Sequence, residues 1–526
     1  MAAAAISAPR PIEIDKARRW LILFTASLGA LLEVIDTSIV NVALTDIQAS
    51  LGATLSEVGW VITSYAIANV IILPMSAWLG HRFGKKRYFI FAMVAFTGAS
   101  VLCGVATSLP MLIFARILQG LGGGGLLAKA QSILFETFPK EEQATAQGVF
   151  GICVIAGPAI GPTLGGWLTT NFDWRWIFFI NLPVGIAATF MAVAILVDDA
   201  PDERAAAGTP VDWLGILLLA VSVGSLQTVL EEGGSEDWFD SRMITVLAIT
   251  GAISIVTFVW WQLRIDHPVV DLRVLKHRSL AGGAALSLVT GMAMYGALFA
   301  VPIFAQSILG LTASQTGWML LPGALASAFM MPIVGKLPGD ARVKILGGGA
   351  VLLFAMLWLA RLTPTWGDDQ LFWPLLIRGA GTVMIYMPLT LATIGPIPKK
   401  DIAAATGFYS LTRQLGGSLG IAVLTWVLEH RIAFHHAVLS EKLAMGAPAV
   451  TERLNVLTGV YVGRGVEATR AGALALKALN TSMTHQADVL AYADTFWFVG
   501  ALLVLASPFV MLLGSGKGLK AATDAH

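Results

Sequence analysis

Between positions 20 and 514 the chain is a succession of apolar runs, each long enough to cross a lipid bilayer, and nothing else in the sequence constrains its fold as strongly. A hydrocarbon core of about 30 Å calls for about 20 apolar residues in a helix. Runs of that length occupy 20–44, 57–80, 88–107, 109–130, 144–168, 176–197, 211–230, 243–263, 279–305, 310–335, 343–362, 371–394, 402–428 and 489–514. Only helices or closed barrels satisfy the backbone inside a membrane, and runs this long are helical. The sequence therefore predicts an all-α polytopic membrane protein with fourteen transmembrane helices. The pair 310–335 and 343–362 is interrupted by Pro322, Pro332 and Gly347 to Gly349, which membrane helices tolerate when neighbours satisfy the freed groups. Composition agrees: 13% of residues are charged and 56% hydrophobic, against about 25% and about 45–50% in soluble domains. A net charge of +1 offers no basic field for a nucleic-acid partner. Cys103 and Cys153 both lie in apolar runs and form neither a disulfide framework nor a metal set.

Cations favour the inner side of a membrane. With the N-terminus inside, 21 of the 34 Lys and Arg fall in inner segments, including Arg82, Lys85, Lys86 and Arg87 after the second run. The short outer loops hold Arg175, Arg242 and Arg361. The orientation follows: residues 1–19 and 515–526 are cytoplasmic tails, with no cleavable signal peptide. The segment 431–488 is then an outer loop that contains Thr451, Glu452 and Arg453 and then Ala-rich helical stretches, too short and too weakly apolar for a catalytic domain. His430, His435 and His436 at its start read as solvated loop residues, because no further Cys or Asp cluster accompanies them.

An internal repeat divides the chain. The block from Pro139 to Phe150 aligns with the block from Pro398 to Tyr409, and at the same spacing Gly157 and Gly161 fall on Gly416 and Gly420. Arg116 and Arg378 each lie seven residues into their runs, just upstream, and read as a matched pair. Residues 20–197 and 264–514 are thus two six-helix halves, and 198–263 is a linker with two inserted helices.

Ionisable residues deep in a membrane cost about 2.5–3.5 kcal/mol each on insertion scales and are functional candidates by default. They are Glu33 and Asp36 in the first run, Arg116 in the fourth, Arg378 in the twelfth and Arg413 in the thirteenth. Lys129, near the inner end of the fourth run, is expected to snorkel. Asp36 and Arg116 lie at matched depth, roughly 10–12 Å from the outer surface at 1.5 Å per residue, and pair if their helices are neighbours. Gln119 sits one turn from Arg116, and Tyr65 lies at similar depth. Two acids and an arginine can balance a carboxyl so that it exchanges a proton near neutral pH; Asp36 is the primary candidate and Glu33 assists. No His lies deep in any run, so a His relay is excluded. Gly157, Gly161 and Gly165, with Pro158, Pro162 and Gly166 interleaved, set bare backbone on one helix face for close approach. The Gly120 to Gly125 stretch lacks the ending of a phosphate loop and lies in the membrane, which argues against ATP. No cofactor motif is present. Met292, Met294, Tyr295 and Phe299, with Met384, Tyr386 and Met387, form faces suited equally to adaptable apolar binding and to packing.

At these residues the chain resembles the major facilitator superfamily, in its fourteen-span drug:proton antiporter branch, and most of all the EmrB-type efflux pumps. The residues from Leu32 to Leu44 match that branch's first-span motif, and Arg116-Ile117-Leu118-Gln119-Gly120 its fourth-span arginine motif. Gly157 to Gly166 is similar to the antiporter motif of the fifth span; Trp174 to Pro183 and Asp271-Leu272-Arg273 are further marks. The inner loop Gly80-His81-Arg82-Phe83-Gly84-Lys85-Lys86-Arg87 departs from the superfamily pattern, which usually has Asp where His81 stands and Gly where Ala77 stands. The resemblance implies two six-helix halves with two inserted helices, proton-driven export of lipophilic compounds from the inner membrane, and Asp36 and Arg116 in proton transfer. For a Gram-negative host it also implies an EmrA-type periplasmic adaptor and a TolC-type outer-membrane channel. Arg378, Arg413, Tyr65, Gln119, Tyr295, Phe299, Met384 and Tyr386 are expected near substrate. A symporter or metabolite exporter of the same fold, and a non-transporting receptor or scaffold, are the alternatives that the residues leave open.

Overall fold

The computed structural model describes residues 15–197, 210–363, 366–442 and 448–513. Most of each expected cytoplasmic tail and the linker 198–209 lie outside these residues, as do the side chains of Pro158 and Phe299. Seventeen helices follow one another: α1 (Lys16–Leu51), α2 (Leu55–Phe83), α3 (Lys85–Gly104), α4 (Leu109–Gly123), α5 (Leu126–Thr137), α6 (Lys140–Asn171), α7 (Trp176–Phe179), α8 (Asn181–Ile195), α9 (Trp213–Glu232), α10 (Arg242–Arg264), α11 (Arg278–Ser307), α12 (Ala313–Lys336), α13 (Ala341–Leu359), α14 (Asp368–Ile394), α15 (Ile402–Lys442), α16 (Pro448–Gly463) and α17 (Ala468–Ala506). No strand occurs among the described residues.

Each apolar run coincides with helix. The fourth is divided into α4 and α5 at Gly124 and Gly125, and the sixth into α7 and α8 at Ile180. Among the described residues twelve segments are long and apolar enough to cross a membrane by length and composition. α6 lies on α1 and α12, and α15 on α11 and α2. The interrupted run at 310–335 is one continuous helix, with Pro322 and Pro332 inside α12.

The packing repeats. In the first half α1 lies on α6, α2 and α3 lie on α4, and α3 lies on α8. In the second, α11 lies on α15, α12 and α13 on α14, and α13 on α17. The halves meet where α12 lies on α6 and α15 on α2. Even the caps correspond. Thr54 and Glu57 form a reciprocal capping box at the start of α2, and Thr312 and Gln315 do the same for α12. The inserted α9 and α10 pair with each other, and α9 also reaches α2 and α15. At the start of α9 Asp212 accepts from Gly215 N, Trp261 Nε1 and Gln262 Nε2 at 2.7–2.8 Å, tying the two together.

Two expectations are corrected. His430, His435 and His436 do not lie in irregular loop, because α15 runs on to Lys442, 41 residues in all, and α17 begins at Ala468. At 1.5 Å per residue α15 is about 60 Å long, twice the bilayer core. The two helices are tied by Asp494, which accepts from Arg431 Nε at 2.5 Å and lies 2.6 Å from His435 Nε2. Lys129 does not reach water: it is 2% exposed, held beside Gly80, because α5 turns its face into the bundle. Gly84 joins α2 to α3 with φ 91°, a conformation that glycine adopts without strain. Beside it Lys85 pairs with Glu136 at 3.0 Å, and Arg82 lies 5.8 Å from the ring of Trp78. Asp271 caps its own turn and Arg273 donates to Ile265 O at 2.9 Å, so this motif fastens the end of α10 ahead of α11.

Candidate functional site

Asp36 stands in mid-α1, facing α4, with no exposed surface. Its Oδ2 accepts from Arg116 Nη1 at 2.5 Å, and its Oδ1 accepts from Gln119 Nε2 at 2.8 Å and Asn181 Nδ2 at 3.0 Å. The matched depth of Asp36 and Arg116 thus becomes a direct ion pair. Arg116, 1% exposed, also donates to Gln119 Oε1 at 2.7 Å and to Val61 O at 3.0 Å. Its guanidinium lies 4.2 Å from the centre of the Tyr65 ring and 5.8 Å from that of Phe178, a placement that the ring quadrupole favours. Ser100 Oγ completes the network, accepting from Gln119 at 2.8 Å and Asn181 at 3.3 Å. A buried charge pair is tolerable only when its remaining hydrogen-bonding capacity is met, and here four helices contribute to meeting it.

Glu33 shares the face of α1 but not this network. Its Oε1 accepts from Asn69 Nδ2 and its Oε2 from the backbone N–H of Leu127, both at 2.8 Å. Leu127 lies in the first turn of α5, so the break at Gly124 and Gly125 turns a helix N-terminus toward this carboxylate. Free N–H groups and the helix dipole both favour an anion there. The break is made possible by close approach, since Gly124 lies against Asn69 and Gly125 against Tyr88 and Ser76 with no room for a Cβ.

The glycine face of α6 lies on α1 next to this site. Gly157 faces Val34, Gly161 faces Ser38 and Gly165 faces Ile39, and Ser38 Oγ donates to Gly157 O at 3.2 Å. A side chain at any of the three would collide with α1. Pro162 is partly buried on the same helix, and Gly166 O accepts from the hydroxyls of Thr169 and Thr170.

The second half contains a cavity of about 160 Å³ between α11, α12, α14 and α15, with Val154 of α6 contributing from the first half. Arg378 and Arg413 line it, each 8% exposed, together with Tyr295, Tyr386 and Tyr409. Arg378 Nη1 donates to Ala297 O at 3.1 Å, and Arg413 Nη1 to Tyr386 Oη at 2.7 Å. Four of the residues expected near substrate, Arg378, Arg413, Tyr295 and Tyr386, are therefore brought together. Met384 is elsewhere, packed against Gly348 between α13 and α14. Tyr65 and Gln119 belong to the Asp36 network, and the side chain of Phe299 lies outside the described residues.

The glycine contacts also fix how the halves correspond. Gly120 lies against Tyr65 O and Gly379 against Gly323 O; Gly122 lies against Phe96 and Gly381 against Leu352. Arg378 therefore takes the place of Gln119, and Leu375 takes that of Arg116, which corrects the pairing of the two arginines expected from their distance into each run. On the first helix of each half, Gly157 and Gly161 face Val34 and Ser38 while Gly416 and Gly420 face Leu288 and Met292. Ser287 and Thr290 thus stand where Glu33 and Asp36 stand, and Gly323 where Tyr65 stands.

Several polar residues of the site carried only a weak signal in the sequence. Asn69, Ser100 and Asn181 are single polar residues in apolar runs, and only the fold gathers them on the two acids. Glu231 and Glu232, at the end of α9, were also overlooked because they fall just beyond the seventh run. Thr63 Oγ1 donates to Glu232 Oε1 at 2.7 Å, and Gln227 Nε2 donates to Glu231 Oε1 at 2.6 Å and Ser418 Oγ at 2.8 Å.

Two quasi-equivalent helical bodies that meet along α6–α12 and α2–α15 have the architecture of a secondary transporter. The family model described as Major Facilitator Superfamily matches residues 26–421, and the chain belongs to that superfamily. It is 32% identical over 496 residues to the multidrug export protein EmrB of Escherichia coli strain K12, covering 94% of this chain and 95% of that protein. It is equally 32% identical to the fatty acid resistance protein FarB of Neisseria gonorrhoeae, with the same coverage. Among solved structures the proton:xylose symporter XylE is similar in fold, with a TM-score of 0.60 and 12% identity over 96% of this chain and 98% of that one.

Proposed function

We propose that the protein is a proton-driven antiporter that exports lipophilic toxic compounds by alternating access of its two halves. The observation that carries this reading is the wholly buried Asp36–Arg116 pair, since ionisable residues at such depth mark ion pathways. In this reading Asp36 is the primary proton carrier, Glu33 assists, and Arg116 with Gln119 and Tyr65 holds the carboxylate between cycles. The glycine and proline face of α6, Gly157 to Gly166, keeps α1 and α6 close while the halves rock. Its similarity to the antiporter motif supports exchange over symport. The names of the relatives support multidrug export.

The energetics suffice. One charge moving through 100 mV supplies about 2.3 kcal/mol, and a hundredfold uphill gradient of a neutral compound requires about 2.8 kcal/mol. We place the protein in the cytoplasmic membrane with both termini inside, with α6 and α15 crossing as well, which makes fourteen spans. The halves are 20–197 and 264–514, with 198–263 between them. The helical projection of α15, α16 and α17 then faces the periplasm, where an EmrA-type adaptor leading to a TolC-type channel would meet it.

The test is drug efflux from cells and proteoliposomes across a panel of compounds, with and without a protonophore. Export that collapses with protonophore supports the reading, and export indifferent to it overturns the proton drive. Adding substrate to energised vesicles must release protons along their gradient in the direction opposite to substrate; movement of both in one direction would make the protein a symporter.

A further inference from the structure

We infer that the cavity of the second half is an anion cradle, in which Arg378 and Arg413 hold the acidic headgroup of a single-chain amphiphile such as a long-chain carboxylate or sulfonate. The proposal deepens the export reading and rests on it for the direction of transport, but not for binding.

The geometry that supports it is the exchange of residues between the halves. At the places of Glu33 and Asp36 the second half has Ser287 and Thr290, both lining the cavity. At the place of the neutral Gln119 it has Arg378. Arg413 stands, by the same spacing of the α6 and α15 glycines, at the place of Val154. Compared with the first half, the second lacks both carboxylates and the Arg116 guanidinium and has two guanidinium groups at other places around one space. No carboxylate is among the residues lining it, and neither arginine makes an ion pair among the described residues. Glu33 acts electrostatically on Arg413 from α1 without a hydrogen bond to it.

A guanidinium has five N–H donors in a planar fork. Arg378 uses one on Ala297 O and Arg413 one on Tyr386 Oη. Both retain donors for a planar acid group, which arginine binds in bidentate fashion. The space itself follows from the exchange of Tyr65 for Gly323: the ring that packs on Arg116 in the first half has no counterpart in the second. Leu298, Leu320, Leu352 and Leu389 supply an apolar lining for a chain. A cationic amphiphile would meet two buried like charges there, and a neutral one would leave Arg378 uncompensated and Arg413 with Glu33 alone.

The test is equilibrium binding to the full-length protein in nanodiscs of zwitterionic phosphatidylcholine, with dodecanoate, dodecan-1-ol and dodecyltrimethylammonium as probes of equal chain length. Dodecanoate is expected to bind about tenfold or more tighter than the alcohol, the value of a charged hydrogen bond, and the ammonium weakest of the three. Arg378→Gln and Arg413→Gln should each remove most of that preference, with Arg378→Lys and Arg413→Lys restoring part of it; the Lys variants also report if the Gln variants are misfolded. Equal binding of the three probes, preference for the ammonium, or a carboxylate preference that survives both Gln substitutions in folded protein overturns the proposal. An anionic lipid headgroup shares the chemistry, so phosphatidylglycerol is added as competitor. Displacement of dodecanoate at membrane mole fractions makes the site a lipid site and overturns the substrate assignment, whereas retained dodecanoate binding supports it. Binding is repeated in Asp36→Asn: if proton-driven export fails in the wild type but carboxylate selectivity is intact, the antiport reading falls and the cradle stands.

Discussion

The first half surrounds the Tyr65 ring with Glu33, Asp36 and Arg116, whereas the second, at the corresponding places, sets Ser287 and Thr290 beside open space, has Leu375 where Arg116 would stand, and brings in Arg378 and Arg413. One body bonds Asp36 to Arg116 and Glu33 to Asn69 and the Leu127 backbone; the other sets two guanidinium groups along a cavity. A duplicated fold can thus separate two tasks that compete for the same buried position. A proton carrier needs a carboxylate whose counter-ion is part of the protein, while a ligand site needs charge that the protein itself does not neutralise.

The largest effect should come from removing the charge on the filled side. Asp36→Asn keeps the shape and most hydrogen bonds of the network, and protonophore-sensitive export is expected to fall to background while the purified protein keeps its monodisperse elution. Full activity would remove Asp36 from the mechanism. Next, Thr290→Asp returns an acid to the open side opposite Arg378, and is expected to lower dodecanoate binding about tenfold while raising that of the ammonium probe. An unchanged order of affinities would mean that the second half does not read charge at this position.

Backbone contacts give a smaller, structural contrast. A methyl at position 420 would meet the Met292 carbonyl, whereas at 161 it would first meet the rotatable hydroxyl of Ser38. Gly420→Ala should therefore cost more in thermal stability than Gly161→Ala, at about 1–3 kcal/mol for overpacking, and Ser38→Ala should recover much of the loss at 161 only. Smallest of all, Tyr65→Phe removes a hydroxyl that meets Asn69 at 3.5 Å but leaves the ring beneath Arg116. Its effect on export rate should stay within about threefold, the reach of a weak hydrogen bond; a larger loss would give the hydroxyl a part in proton movement.

Helix positions and the Asp36–Arg116 contact were legible in the sequence because both follow from length and depth, which a rise of 1.5 Å per residue converts directly. Helix rotation was not legible in the same way. Counting from the start of a run paired Arg116 with Arg378, yet run ends are set by loops, while helix register is set by where glycines permit contact, and that is three residues different. Residues 431–442 continue α15 since nothing in them stops a helix, and once outside the membrane a helix has no need to be apolar.

The inserted helix α9 is fastened on both sides at its outer end, through Glu232 to Thr63 of α2 and through Gln227 to Ser418 of α15. A strut bolted to two bodies cannot travel with both. In a cycle that parts α2 from α15 on that side, one of these two fastenings must open at every turnover, and the one that holds decides which half carries the extra pair of helices.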